Sequence, residues 1–110
     1  ISAANGTIMP ELITYLKKSF YVIGIDSSEY GLAKQYCDEF YKSPTGKDIK
    51  FIKFLEKVGA KVDMIFLFVD EELDIVSKNL DKLDTIQPKL IIWPLHIIIL
   101  YLIVKLIVVH

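Results

Sequence analysis

The sequence contains no arginine: all 13 of its basic residues are lysines, set against 14 Asp and Glu for a net charge of −1. A planar guanidinium fork is the usual device for gripping phosphate or carboxylate at two points, and this chain has none. With neither a basic excess nor a basic cluster, nucleic acid is excluded as a partner class. One cysteine, Cys37, rules out an intrachain disulfide and supplies no zinc pair, which fits a reducing compartment and makes the cytoplasm the expected location. The two histidines, His96 and His110, lie far apart in an apolar tail and form no metal site. Neither a Walker loop, a nucleophile triad nor a zinc pattern is present, so the chain alone is expected to be non-catalytic. No charged n-region followed by an apolar h-region marks a secretory signal. The first residue is Ile1 rather than Met, and "ISA" reads as the end of a strand whose beginning is absent; the expectation is a truncated domain.

What is present is the material for one core. A chain of 110 residues is about one domain. Ile8, Leu12, Ile13, Leu16 and Phe20 recur at helical spacing, with Pro10 suited to the first turn. "FYVIGID" (20–26) is a short apolar run ending in a carboxylate, as in a strand buried on both faces. A short helical stretch around Leu32–Cys37 and a brief strand "EFYKS" closed by Pro44 follow. "KDIKFIKFLEKVG" returns to helical spacing, with Ile49, Ile52, Phe54, Leu55 and Val58 inward and Gly59 as the stop. "VDMIFLFV" is a second apolar strand, "DEELDIVSKNLDKL" a helix with acids at its positive end, and "PKLIIW" a third strand. This alternation predicts an α/β fold, a three-layer Rossmann-like open parallel sheet with helices on both faces, over residues 1–92.

Residues 93–110 break the pattern. From Leu90 to His110 nearly every residue is Ile, Leu, Val, Trp or Tyr, interrupted by Pro94, His96 and Lys105. The expected arrangement is a helix packed on the sheet or in a partner interface; a membrane anchor is the competing reading, disfavoured by Pro94 and by the lysine.

Three strand ends hold the residues that could carry chemistry. In an open parallel sheet ligands bind beyond the carboxyl ends of the strands, and a small-residue loop such as "SAANG" lets backbone amides face an anion. Asn5, Gly6 and Thr7 are therefore candidate substrate contacts, although the dinucleotide fingerprint requires three glycines and Gly6 stands alone. Asp26, with Ser27, lies about 20 residues on, where a dinucleotide fold places its ribose-binding acid; it could equally cap its own turn. Asp70, Glu71 and Glu72 could bind magnesium or a substrate ammonium, or Asp70 could be a helix N-cap with the glutamates favouring the helix dipole. Cys37 reads as buried and structural.

In order, "SAANG", "VIGIDSS", "GLAKQYCDEFYKSP", "VDMIFLFVDEEL" and "PKLII" resemble the N-terminal pre-ATP-grasp domain of ATP-grasp ligases, and are similar to the carbamoyl-phosphate synthase large subunit over residues 1–92. The resemblance implies a Rossmann-like domain that abuts an ATP-grasp fold and helps form its substrate pocket. It also implies that ATP and magnesium are held by downstream domains, where a carboxylate is phosphorylated and the acyl phosphate is attacked by an amine. No ATP ligand carries over to this chain, whereas Asn5, Gly6, Asp26 and the acids of "DEEL" match the substrate-facing edge. The loop departs from many relatives in lacking extra glycines, and the tail departs in being apolar where relatives turn polar. A reading-frame change or truncation in a longer parent would explain that tail. The partners implied are the missing ATP-grasp domains, with a homodimer through exposed apolar surface as a further expectation. Two alternatives remain open: a standalone Rossmann-type NAD-binding domain, and a tail-anchored or partner-binding protein acting through residues 90–110.

Overall fold

The computed structural model describes residues 1–91. The apolar segment 93–110, and with it the choice between packed helix and anchor, lies outside the described residues. Among the described residues no helix is long and apolar enough to cross a membrane.

The chain is a mixed α/β fold with short parallel strands. Helix α1 (Met9–Leu16) leads to strand β1 (Ile23–Asp26), a one-turn helix α2 (Ala33–Tyr36) and strand β2 (Glu39–Lys42). Helix α3 (Lys50–Gly59), strand β3 (Ile65–Phe66), helix α4 (Asp70–Ser77), two 3-10 turns (Leu80–Leu83 and Gln87–Lys89) and strand β4 (Leu90–Ile91) complete it. β1 pairs with β2 and β3 with β4, both in parallel. The all-apolar runs read from the sequence are found at these places, but their ladders are shorter than the runs.

The opening segment ties the two ladders together. The Ile1 nitrogen donates to Ile23 O at 2.8 Å, and Ile25 N donates to Ile1 O at 2.9 Å. Ser2 N donates to Phe66 O at 3.0 Å, and Phe68 N donates to Ser2 Oγ at 2.7 Å. Ser2 is thus fully buried at the centre of the fold, with its hydroxyl doing the work a carbonyl would do in a regular ladder.

Two apolar clusters flank the strands. Ile25, Ile65 and Leu67 pack with Phe51, Ile52 and Leu55 of α3, Val76 of α4, and Leu83 and Ile86. Val22 and Phe68 instead pack with Ala4, Met9, Ile13, Ala33 and Cys37, and Phe66 lies against this second cluster. Successive side chains of the 65–68 run go to opposite clusters, as strand geometry requires, which explains why it reads as continuously apolar. Each large side chain buried this way contributes about 1.5–3 kcal/mol.

Several boundaries differ from the periodic reading. Ile8 and Phe20 are half exposed because only Met9–Leu16 is helical; Ile8 is the residue before the helix and Phe20 follows the Lys17–Ser19 turn. Ile49 is likewise the residue before α3 and is exposed, whereas Phe51, outside the expected inward set, is fully buried. Gly59 is not a left-handed stop. It is the last residue of α3, where an added Cβ would lie 2.9 Å from Ile65 Cδ1 and 3.1 Å from Ile86 Cγ2, so it serves close packing. The single helix expected over 70–83 divides after Ser77, where the Asn79 side chain donates to Ile75 O at 2.7 Å and a 3-10 turn follows.

Candidate functional site

Beyond the carboxyl ends of β1 and the opening segment, and against the start of α4, lies a cavity of about 310 Å3. Asp26, Ser27, Glu71 and Glu72 line it together with Ala3, Val69 and the loop Pro44–Lys47. Four of the eight residues singled out from sequence are therefore brought to one place.

The Asp26 carboxylate organises the rim. Its Oδ1 accepts from Ser28 N at 2.9 Å, the side-chain turn expected of an aspartate before two serines, and its Oδ2 accepts from Asn5 N at 3.1 Å. Ala3 enters this corner with φ 53°, a left-handed conformation that turns the chain sharply out of the strand, and Gly6 N closes the turn onto Ala3 O at 2.9 Å.

Asn5, Gly6 and Thr7 do not line the cavity. Asn5 is a brace: its Oδ1 accepts from Ala33 N at 3.0 Å and its Nδ2 donates to Ser28 O at 2.7 Å, so both ends of the amide are occupied. Gly31, at φ 140°, packs directly on that side chain, where a Cβ would come within 2.6 Å of Asn5 Cγ. Gly6 forms the turn, and Thr7 is exposed. Asp70 also stays outside the cavity lining. It is the first residue of α4, with Val69 in the cap position and no side-chain cap bond, so the N-cap reading of Asp70 is corrected.

Glu72 is the unusual group. It is 5 % exposed, and its Oε1 has no hydrogen-bond partner among the described residues. Burial pushes its carboxyl above the ordinary value of 4.5, opposed by hydrogen bonds from the Ser2 hydroxyl and the Val69 amide, with the Asp26 carboxylate pushing upward as well. A buried carboxyl oxygen without a donor is costly to the fold.

The loop Pro44–Lys47 escaped the sequence reading as a site element, since "SPTGK" served there only to close a strand. Gly46 was the available signal. An added Cβ would lie 2.7 Å from Glu72 N and 3.0 Å from Glu71 C, so only glycine lets this loop rest on the backbone of α4. The loop brings Lys47, the one cation of the cavity lining, to a wall otherwise carrying the carboxyls of Asp26, Glu71 and Glu72. Among the described residues no group of three or more His, Cys, Asp or Glu is arranged to hold a metal ion. Cys37 is buried, with burial raising its thiol pKa above the ordinary value, an inert core position.

Short parallel strands covered by apolar clusters, with a cavity beyond their carboxyl ends, define an α/β domain. The family model of the PylC-like N-terminal domain matches residues 3–91, and the chain belongs to that family. It is accordingly a pre-ATP-grasp domain, of the kind that opens ATP-grasp ligases. No curated protein and no solved structure matches the chain.

Proposed function

We propose that this chain is the N-terminal, substrate-side domain of an ATP-dependent carboxylate–amine ligase with carbamoyl-phosphate synthase-like chemistry, inactive without its catalytic domains. In this reading β2, β1, Ile1–Ala4, β3 and β4 form one Rossmann-like parallel sheet between two helical layers. The hydrogen bonds on both sides of Ile1–Ser2 and the two apolar clusters support that arrangement.

The observation that carries the function is the gathering of three acids, Asp26, Glu71 and Glu72, with Ser27 around one cavity. An acceptor-rich wall favours a nitrogen that donates protons, and the amine that attacks an acyl phosphate is such a group. Glu72 and Asp26 would hold the amine, while Ser27, Thr45 and Lys47 at the open side would meet the more polar end of the substrate. Lys47 offers the matching charge for a carboxylate. Asn5, Gly6 and Thr7 act in this account by shaping the rim, and Asp70 by favouring the α4 dipole. ATP and magnesium would be held by the ATP-grasp domains, which are the expected partners.

Calorimetric titration of the chain with NAD and with magnesium ATP tests this reading. The expected outcome is no saturable binding of either nucleotide up to about 1 mM, a free energy weaker than roughly −4 kcal/mol. Saturable NAD binding that is lost in Asp26→Ala would overturn it in favour of a standalone dinucleotide-binding domain.

A further inference from the structure

The loop Pro44–Lys47 covers Glu72 without being tied to it. A Cβ on Gly46 would lie 2.7 Å from Glu72 N and 3.0 Å from Glu72 Cγ, so the loop rests directly on that residue. Its ends are anchored elsewhere. Ser43 N donates to Asp26 O at 2.8 Å on one side; on the other, Asp48 N donates to Thr45 O at 3.0 Å, and Asp48 Oδ1 accepts from Lys50 N at 2.9 Å at the start of α3. Among the described residues no hydrogen bond joins Pro44–Lys47 to α4. Thr45 and Lys47 are exposed, and Pro44 and Gly46 half-buried, so lifting the loop uncovers little apolar surface.

Two buried polar atoms flank this loop. Glu72 Oε1 is one, and Ser43 Oγ, on the residue before Pro44 and 4 % exposed, is the other; neither has a hydrogen-bond partner among the described residues. A protonated carboxyl tolerates an unpaired oxygen far better than a carboxylate, whose charge needs donors or water. Lifting the loop is the least costly way to bring water to Glu72, because α4 itself is held by Val76 in the cluster around Phe51 and Leu55. Burial is the main cause that raises the Glu72 pKa; of the charged groups around it, Asp26 of β1 raises it further and the Ile1 amino group lowers it, with Glu71 and Lys47 on the same cavity wall. Burial also brings the Ile1 amine down to about 6, so a test has to separate its titration from that of Glu72.

We propose that Pro44–Lys47 is a lid over the cavity that lifts when Glu72 loses its proton, letting water reach the carboxylate and opening the cavity to ligands. The covered form holds the Glu72 proton more tightly than the lifted form does. Lifting therefore grows as pH rises from 4.5 through the covered-state value and levels off beyond it. The device stands whichever ligand the cavity takes, because it uses only the loop and Glu72.

The test records 15N relaxation dispersion at Thr45, Gly46 and Lys47 in the full chain and in Glu72→Gln, at about pH 4.5 and about pH 7, together with tryptic cleavage after Lys47 at the higher pH. Thermal melts establish that each protein is folded under each condition, and Glu72→Met, neutral and without polar atoms that need partners, repeats the comparison. In the parent, exchange broadening at the three amides is expected to increase from the lower pH to the higher, and in both neutral variants to stay at its low-pH level. Trypsin is expected to cut the parent after Lys47 about threefold or more faster than the variants. Broadening in the parent that does not change with pH overturns the proposal. An equal rise in the neutral variants also overturns it, because the change then belongs to Asp26 or the Ile1 amine, and so does equal cutting of parent and variants after Lys47.

Discussion

Glu72 is a buried carboxyl group with one oxygen unpaired among the described residues, and its cost to the fold depends on pH. Because its pKa is raised in the folded state, the folded protein binds more protons than the unfolded one above pH 4.5, and stability falls as pH rises from there through the folded value. Glu72→Gln removes this penalty. Its melting temperature should match the parent near pH 4 and exceed it increasingly toward pH 7, a comparison that thermal denaturation across pH makes directly. Asn5 is the opposite case, a polar side chain with both ends of its amide paired. Asn5→Ala leaves the Ala33 amide and the Ser28 carbonyl without partners and should cost about 1–3 kcal/mol in urea denaturation. Gly24 shows how little room the centre has: an added Cβ would lie 2.5 Å from Cys37 Sγ and 2.9 Å from Ala4 Cβ. Gly24→Ala should destabilise by about 1–3 kcal/mol, and adding Cys37→Ala should recover part of that loss.

At the scale of elements, the loop Pro44–Lys47 and the start of α4 behave as one unit. Gly46 allows the loop to rest on the backbone of Glu71 and Glu72, so Gly46→Ala must lift it and reshape the cavity wall. Ligand affinity should fall about tenfold or more, while the melting temperature falls little, because the loop buries few apolar side chains. Elements with strong patterning were legible in the sequence: Ile52 and Leu55 of α3, the apolar run before Asp26, and the acids opening α4 all stand where periodicity placed them. Their edges were not legible, because Ile8, Phe20 and Ile49 continue a helical spacing past the residues whose backbone is helical. Four of the ten residues lining the cavity were legible, for a physical reason. Asp26, Ser27, Glu71 and Glu72 stand at element ends, where topology brings acids to one edge. The contribution of Pro44–Lys47 depends on a tertiary contact through Gly46 that no local pattern encodes. A small-residue loop suits an anion cradle and a tight turn equally well, and the structure shows the turn at Gly6 and the brace at Asn5.

At the scale of the molecule, the chain is a pre-ATP-grasp domain whose cavity shares no lining residue with an apolar groove lined by Leu16 of α1 and Val58 of α3. The cavity is where the proposed ligase would meet its amine. The family match covers residues 3–91, which include every residue lining the cavity. The account stands on the cavity being a substrate site rather than a nucleotide site. The direct measurement is a chemical-shift titration of the 15N-labelled chain with amino acids and short diamines, and separately with NAD. The account predicts that an amine shifts Asp26, Ser27, Thr45–Lys47, Glu71 and Glu72, that Glu72→Gln weakens this at least tenfold, and that NAD leaves those resonances in place. Shifts at Gly6 and Asp26 produced by NAD, with none produced by any amine, would contradict it.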